Sequence, residues 1–459
     1  MRRAGTGLSV PQMTDAPSPG RDQGMLRRMT WATAVGEGLD GFDLGIIAVV
    51  LTLITKDLGL TPVWSGLIAA STLVGIFFGS PVVGWLSDRI GRRTLFTVDI
   101  ASFVVLGLLQ AVVTEPWQLF VVRLLLGFAV GAEYALGAAL LSEFAPSAGR
   151  GRRVAGLLVT WYAGYLPSVV IAYTLVDVVG LSWRWVLATS VVPAVVTLIA
   201  RIGLPESPRW LMEHGRVDEA RAVADRYLGG EAFFREEEVT GEHGRAATGG
   251  LGRLFAPGMR GRTVFVCVFY ACNVAPYFAI FTFAPQVFEA LQVSNEAAST
   301  ILANTIAAIG ALVGMLTIER VGRRPQLIIP FWIMTAALVV VGLWGSAPSG
   351  VIVACFAVFA FFNALQGNLD AVYPVEVFPT ELRSTGVGVS TAFSRIGAAA
   401  GTFLLPVGIS AIDIGPCMLI AAALCLLGGV VSYFMAPETT GLSLTQTVAL
   451  RPRTAAAPT

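Results

Sequence analysis

Three short charged motifs each occur twice in this chain, with the two copies 231 to 233 positions apart. The copies are Asp88–Arg93 and Glu319–Arg324, Glu-x2-Pro-x3-Arg at 143–150 and at 376–383, and Pro-Glu-Ser at 205–207 and Pro-Glu-Thr at 437–439. An offset shared by three motifs in a chain of 459 residues indicates two homologous halves. Each half carries one copy of every motif.

The sequence between the motifs is strongly apolar. Hydrophobic residues make up 55% of the chain, charged residues only 13%, and the mean hydropathy is +0.72. A soluble domain carries about 25% charged residues, whereas a helix that spans a membrane needs roughly 20 apolar residues in a row. The sequence predicts twelve such spans, numbered in chain order: 31–55, 63–87, 94–114, 117–141, 154–178, 184–204, 263–289, 297–318, 325–345, 350–373, 384–410 and 414–436.

Basic residues fall almost entirely on one side of the predicted spans. Of the 31 Lys and Arg residues, 27 lie in the termini or in segments on the same side as the termini, and only Lys56 and Arg184 lie on the other. Because positive charge stays on the cytoplasmic side, both termini are predicted to be cytoplasmic. The N-terminal segment lacks the apolar core of a cleavable signal, so span 1 should stay in the protein. Composition rich in Ala, Gly, Val and Arg favours a bacterial inner-membrane protein.

The predicted organisation follows from the spans and the one sizeable polar segment between them. Within that segment, 217–228 has helical apolar spacing. The predicted parts are a cytoplasmic tail (1–30), an N-terminal six-helix bundle (31–204), a cytoplasmic linker with short helices (205–262), a C-terminal six-helix bundle (263–436) and a cytoplasmic tail (437–459).

Composition also narrows the function. The net charge of +1 gives no reason to expect a nucleic-acid partner. The five cysteines lie in apolar segments without the paired spacing of metal sites, and the only histidines, His214 and His243, lie in a polar stretch. We therefore expect no metal, no cofactor and no enzymatic activity. A duplicated membrane bundle is the architecture of secondary transporters, whose substrate sites lie where the repeats meet.

The motifs carry a resemblance to a known family. Gly84-x3-Asp88-Arg-x-Gly-Arg-Arg93 between spans 2 and 3, with its copy at 319–324, resembles the signature loop of the major facilitator superfamily. Pro-Glu-Ser-Pro-Arg-Trp at 205–210 and the two Glu-x2-Pro motifs resemble sugar porters and their relatives among aromatic-acid/proton symporters and organic-ion transporters. The resemblance implies an all-α membrane protein with twelve transmembrane helices in two pseudo-symmetric six-helix bundles, working as a monomer in the lipid bilayer on a small-molecule substrate.

The repeated acids and arginines have an implied role in this family, where they pair when the cytoplasmic gate is closed. Exposed ion pairs are individually weak, so a set of them can hold a gate shut and still release it. The resemblance implies such a gate for Asp88, Arg92, Glu143, Arg150, Glu206, Glu319, Arg323, Glu376, Arg383 and Glu438.

Ionisable residues inside the predicted spans are costly, and by default they mark an ion or substrate path. Asp40 and Asp43 stand three positions apart in span 1 and share one helix face. Glu37, Asp99 and Asp370 lie near predicted helix ends, so an interfacial position fits them as well. Three further charged residues lie well inside the spans, namely Arg123, Glu133 and Arg395.

Asp43 and Arg123 match the positions of the proton-coupling pair of sugar porters. Ionisation of a carboxylate is favoured beside an arginine and disfavoured once the two separate, so proton uptake would be tied to conformation. The alternative is a static buried pair that fixes helix packing. Asp40 and Glu133 are further candidates for coupling, with the proton as the coupling ion.

The substrate is less constrained. Span 7 lacks the glutamine-rich motif of hexose porters. The double aspartate of span 1 resembles aromatic-acid/proton symporters, and Arg395 offers a planar fork suited to a carboxylate. Arg395 could equally pair with Asp370 or support a helix kink. The candidate substrate-binding residues are Arg395, Phe42, Tyr165, Asn273, Tyr277, Asn304, Asn363 and Gln366.

The leading hypothesis is thus a proton-coupled symporter of a small organic acid or related metabolite. The transport alternatives are a sugar or polyol symporter on the same scaffold and an efflux carrier of a secondary metabolite. A transporter-like nutrient sensor is disfavoured, because such sensors add a long cytoplasmic signalling tail.

Overall fold

Regular structure is helical throughout the residues that the computed structural model describes, which are 22–144, 150–230, 233–234, 250–293, 295–379 and 382–439. Twelve candidate membrane spans lie within these ranges. Their helices are Gln23–Asp57, Pro62–Ile90, Arg92–Leu109, Pro116–Phe144, Arg150–Tyr173, Trp183–Ala188 with Val191–Arg201, Arg260–Thr282 with Ala284–Ala290, Glu296–Val321, Arg323–Leu343, Ser349–Val377, Arg383–Ile412 and Ile414–Met435. The helix at the end of span 3 continues as a 3-10 turn, Gln110–Val112, and that of span 5 as a π-helical turn, Thr174–Val178.

The predicted spans agree with these helices to within a few residues, with three differences. The span 1 helix begins at Gln23, inside the segment predicted as a tail, because Asp22 caps it through its side chain. Span 6 is two helices that meet near Ser190. Span 7, predicted as one helix over 263–289, breaks at Phe283, just before Pro285. These breaks lie inside continuous apolar runs, where hydropathy alone gives no signal.

Two short helices, Pro208–Glu213 and Val217–Tyr227, follow span 6. The second matches the amphipathic helix predicted at 217–228. The backbone N–H of Asp22 donates to the Tyr227 carbonyl at 3.1 Å, so the start of span 1 is fixed to this linker. Most of the Gly- and Glu-rich stretch 229–252, the first 21 residues and the tail beyond 439 lie outside the described residues.

Spans 1 and 5 cross with their backbones in direct contact. A Cβ atom added to Gly164 of span 5 would overlap the carbonyl oxygen of Gly38, and one added to Gly41 would overlap that of Trp161. Small residues let membrane helices approach this closely. The crossing therefore holds Glu37, Asp40 and Asp43 of span 1 at a fixed position relative to the aromatic residues of span 5.

Gly164→Ala is expected to lower the apparent melting temperature of the purified protein, because the new methyl group would force spans 1 and 5 apart. Overpacking of this kind costs about 1–3 kcal/mol. Gly156→Ala in the same helix is the matched control, since a Cβ there would meet nothing within 4 Å. Equal melting temperatures for the two variants in a fluorescence-monitored thermal ramp would contradict this packing.

Spans from the two halves of the sequence also touch at the far side, meaning the end of the bundle remote from the chain termini. Tyr173 at the end of the span 5 helix donates its hydroxyl to Thr300 of span 8 at 3.5 Å. Gly66 near the start of span 2 packs on span 11, where an added Cβ would lie 2.5 Å from the Phe403 carbonyl oxygen. These contacts join the two halves at the far side.

Candidate functional site

A cavity of about 240 Å³ lies between spans of both halves. Its wall is mostly aromatic, with a few amide and charged side chains, as is usual for small-molecule sites. The lining residues are Glu37, Tyr134, Leu157, Leu158, Trp161, Tyr162, Tyr270, Asn273, Val274, Tyr277, Phe278, Asn363, Gly367, Asn368, Asp370 and Arg395. Spans 1, 4, 5, 7, 10 and 11 supply them, so a ligand here would contact both halves at once.

One side of the cavity is a hydrogen-bonded chain of polar side chains. Asn273 of span 7 donates its amide to Asp370 Oδ2 at 3.0 Å and accepts at Oδ1 from the amide of Asn363 at 2.8 Å. The Asn363 amide also donates to the Asn273 carbonyl at 2.9 Å. Asn273 therefore orients both of its neighbours and presents carboxylate and amide groups together.

Arg395 of span 11 lies on aromatic rings rather than on an acid. Its guanidinium carbon is 5.2 Å from the ring centroid of Tyr134 in span 4 and 6.0 Å from that of Phe278 in span 7. Such cation–π contacts hold an arginine in place without neutralising it. Arg395 thus joins the two halves across the cavity.

The remaining wall consists of stacked aromatic rings. Trp161 of span 5 stacks on Tyr165, with ring centroids 5.1 Å apart, and meets Phe278 edge-on at 6.5 Å. Tyr162 and Tyr277 face each other edge-on at 6.4 Å. Flat aromatic faces beside amides suit a ligand that has both apolar faces and polar edges.

Asp43 and Arg123 form a fully buried ion pair between spans 1 and 4. Nη1 of Arg123 lies 2.9 Å from Asp43 Oδ2 and 3.0 Å from Oδ1, and it also reaches Gln110 Oε1 at 3.4 Å. The side chains of Asp43 and Arg123 are 0% and 1% exposed. Because taking a charge out of water is costly unless it is paired, each side chain of this pair depends on the other.

A second buried ion cluster, which the sequence did not predict, lies in the first half. Arg201 had been counted among the flanking basic residues, but its side chain is fully buried and bridges Glu133 of span 4 and Asp99 of span 3, the latter at 3.2 Å. It also donates to the Phe96 carbonyl. Glu133 therefore pairs with Arg201 and not with Arg123. Glu37 and Asp99, for which an interfacial position fits the sequence as well, are both less than a tenth exposed, and Asp370 lines the cavity.

The repeated motifs meet in space in the same way in both halves. Glu206 accepts hydrogen bonds from the backbone N–H groups of Arg92 and Arg93, both at 3.0 Å. In the second half, Glu438 accepts from the N–H groups of Arg323 and Arg324, both at 3.1 Å. In each case a distant carboxylate caps the first turn of a spanning helix, where N–H groups lack helical partners. We call these two contacts the glutamate caps.

A glycine precedes each capped helix for a steric reason. Gly91 and Gly322 have φ of 107° and 91°, a region that residues with a side chain rarely adopt. A Cβ on Gly91 would also lie 2.6 Å from Glu206 Oε2. The repeated Gly-Arg-Arg sequence is therefore the turn that lets the carboxylate reach the helix.

The residues predicted to form the cytoplasmic gate have varied surroundings. Arg323 pairs with Glu376 at 3.1 Å, and Glu376 also accepts from the Thr439 hydroxyl. The Asp88 carbonyl accepts from the Trp210 indole at 3.1 Å. Contacts of Glu206, Glu438 and Arg323 described above lie within one half rather than between halves. The side chains predicted at Glu143, Arg150, Glu319 and Arg383 lie outside the described part of the structure.

Four of the eight predicted substrate-binding residues line the cavity: Arg395, Asn273, Tyr277 and Asn363. Tyr165 lies behind Trp161, and Phe42 is buried in the apolar core. Asn304 donates to the Thr300 carbonyl of its own helix. Gln366 is fully buried, and neither polar atom of its side chain has a partner among the described residues. Of the cavity residues missed, Glu37 and Asp370 carried a signal in the sequence as intramembrane acids.

Twelve spans within the described residues, a cavity shared by both halves and a buried ion pair between spans 1 and 4 are the features of a membrane transporter of the major facilitator type. The chain belongs to the sugar (and other) transporter family, which matches residues 29–449.

Similar proteins extend over almost the whole length. The chain is 37% identical over 424 residues to the putative metabolite transport protein YaaU of Escherichia coli (strain K12), covering 92% of this chain and 94% of that one. It is 35% identical over 405 residues to the inner membrane metabolite transport protein YgcS of the same organism, covering 88% and 90%. Among solved structures, the inward open conformation of the xylose transporter XylE from E. coli matches with a TM-score of 0.77 at 20% identity, over 92% of this chain and 99% of that one. That last likeness concerns the fold.

Proposed function

We propose that this transporter is a proton-coupled symporter of a small, neutral, polyhydroxylated metabolite, a sugar or polyol, and that it works by alternating access. The observation that carries the coupling is the buried Asp43–Arg123 pair. A proton on Asp43 would remove the attraction that joins spans 1 and 4 at this point. Proton binding and helix rearrangement are then linked. If the pair only fixed helix packing, it would stay intact and ionised throughout the transport cycle.

The chemistry of the cavity wall favours a neutral substrate over the organic acid that the sequence first suggested. Two carboxyl groups, of Glu37 and Asp370, and the amides of Asn273 and Asn363 line it beside the single guanidinium of Arg395. Hydroxyl groups can form hydrogen bonds with amides and with carboxyl groups in either protonation state, whereas an incoming carboxylate would have Arg395 as its charged partner. Aromatic rings such as Trp161 offer faces for the apolar side of a sugar ring.

Named relatives support the same substrate class. They include the glucose transporter GlcP of Staphylococcus epidermidis, 29% identical over 437 residues, and the arabinose-proton symporter of Bacillus subtilis, 27% identical over 387 residues. The organic-acid hypothesis keeps one specific support, which is that Nε of Arg395 has no hydrogen-bond partner among the described residues. A carboxylate substrate could accept a hydrogen bond from this N–H group.

Orientation and motion belong to the same proposal. The distribution of basic residues supports an orientation with both termini in the cytoplasm of a bacterial cell, and the contacts Tyr173–Thr300 and Gly66–Phe403 would then lie on the periplasmic side. The two six-span bundles, 31–204 and 263–436, would rock about the cavity with the linker 205–262 between them. The protein is proposed to act as a monomer without a cofactor.

The test is a thermal-shift screen followed by a proton-flux measurement. Purified protein is heated with D-glucose, L-arabinose, D-xylose, myo-inositol, benzoate and succinate, because a ligand at 100 times its Kd should stabilise by about 2.7 kcal/mol. Each stabilising compound is then added to proteoliposomes that contain a pH-sensitive dye. We expect a sugar or polyol to stabilise the protein and to drive proton entry. Stabilisation by the two acids alone, or saturable sugar uptake without proton movement, would overturn the proposal.

A further inference from the structure

The buried cluster around Arg201 holds more acid than its one arginine can balance. Asp99 and Glu133 both contact the Arg201 guanidinium. Gly36 of span 1 rests on the side chains of Glu133 and Arg201, and two buried acids follow it on that helix. They are Glu37, 7% exposed, and Asp40, 1% exposed and one turn after Gly36. If all four carboxyl groups were ionised, a net charge of about −3 would be enclosed in protein, which is prohibitively costly.

Several carboxyl oxygens in the cluster also lack a hydrogen-bond partner among the described residues. They are Oδ2 of Asp40, Oδ2 of Asp99 and Oε1 of Glu133. A buried carboxylate oxygen that is ionised and has no donor is costly, whereas a protonated carboxyl group carries no charge and can itself donate a hydrogen bond.

Besides Arg201, the basic group that acts on the acids of the cluster is Arg395. Span 1 supplies Glu37 and Asp40, span 3 Asp99, span 4 Glu133 and Tyr134, and span 6 Arg201, while Arg395 of span 11 acts on Glu37 from across the cavity. Even when Arg395 is counted with Glu37, three carboxyl groups remain for one arginine.

Span 1 connects this cluster to the cavity. A Cβ added to Gly36 would overlap both Oε1 of Glu133 and Nη2 of Arg201, so the backbone of span 1 rests directly on the buried ion pair. The next residue, Glu37, lines the cavity. A proton taken up by Glu37 from cavity water therefore has only the thickness of one helix to cross.

We propose that the Arg201 cluster is a second proton-binding site, separate from Asp43, which exchanges its proton with the cavity through Glu37. The proton leaves cavity water, binds the Glu37 carboxyl group and passes from there to the buried acids that surround Arg201. Binding of this proton does not depend on the proposed function. Its consequence for transport, a second proton moved with each substrate, rests on that function.

The test uses the full-length protein in lipid nanodiscs without substrate, with the proton itself as the probe. Infrared difference spectra across a pH titration report protonated carboxylic acids through their C=O stretch, which shifts in deuterated water. We expect this band to persist in Asp43→Asn and to be lost in part in both Glu133→Gln and Asp99→Asn. Glu115→Gln, at the exposed start of span 4, is the matched control and should leave the band unchanged.

A band that disappears in Asp43→Asn and is intact in Glu133→Gln and Asp99→Asn would overturn the second site. If one of those variants fails to fold, Asp40→Asn replaces it and should likewise lose part of the band. Glu37→Gln tests the route: the band should remain, but its shift after transfer to deuterated water should be slower than in the unmodified protein. Equal exchange rates would overturn the route through Glu37. Because no substrate is present, failure here is distinct from a failure of sugar-driven proton flux.

Discussion

Asp43→Asn is expected to abolish accumulation of the transported sugar against its gradient while exchange of labelled for unlabelled sugar continues. An asparagine cannot take up or release a proton, so a pH gradient can no longer do work on the transport cycle. Its neutral amide resembles the protonated carboxyl group, so the conformational change itself remains possible. The measurement compares uptake under an imposed pH gradient with counterflow, in proteoliposomes and with the sugar that the thermal screen selects.

The matched control is Asp57→Asn, the same change at the far end of the same helix. Asp57 pairs with Arg184 at 2.8 Å, but its side chain is 49% exposed, and exposed pairs contribute about 0–1 kcal/mol. Proton-driven accumulation of the sugar should therefore be retained in Asp57→Asn. Removing one partner of a buried pair costs about 3–5 kcal/mol, so Asp43→Asn should also melt at a lower temperature. Proton-driven accumulation that persists in Asp43→Asn would show that the coupling site lies elsewhere.

Asn273→Ala should weaken binding of the sugar or polyol by about fivefold to 150-fold. The change removes the amide that holds Asp370 and Asn363 in place and leaves buried polar groups without partners, a loss of about 1–3 kcal/mol. The effect should appear in KM and in the thermal shift at a fixed sugar concentration. Asn295→Ala is the control, since Asn295 is exposed and caps the span 8 helix away from the cavity.

Arg395→Gln separates the two substrate classes in the same assay. For a neutral sugar, glutamine retains hydrogen-bonding groups at this position, so the loss of affinity should be smaller than in Asn273→Ala. For a carboxylate substrate the order reverses, because the positive charge would be the main contact. A larger loss in Arg395→Gln than in Asn273→Ala would therefore restore the organic-acid hypothesis.

The spans could be predicted closely because a lipid environment forces each helix to be apolar over a fixed length. The start of the span 1 helix could not be predicted in this way. Its first turns contain Arg27 and Arg28, which end the hydropathy signal, yet Met25 and Met29 are buried against the linker and the helix continues there. The break in span 7 at Phe283 was missed for the opposite reason, since it lies within an apolar run.

The parts of the candidate site that could be predicted are those where a charged residue within an apolar span is a signal by itself. Asp43 and Arg123 stood out as intramembrane charges in family positions, and the structure places them in contact; their role in coupling stays a prediction. Arg201 was missed because a basic residue at a helix end is the usual mark of topology. Only its partners Asp99 and Glu133, which come from two other helices, reveal it as an interior residue. Contacts of this kind depend on how the helices pack, which the sequence pattern of one helix does not show.

The glutamate caps have a consequence for how the two halves can move. In each half, one carboxylate closes a ring of roughly 115 residues, from the turn after the second span of that half to the end of its sixth. Each ring encloses the third to the sixth span of its half and fixes the start of the third span to the end of the sixth. Rocking of one half against the other, as proposed above, would leave both rings closed, so the two caps would act as fixed ties within the moving bodies.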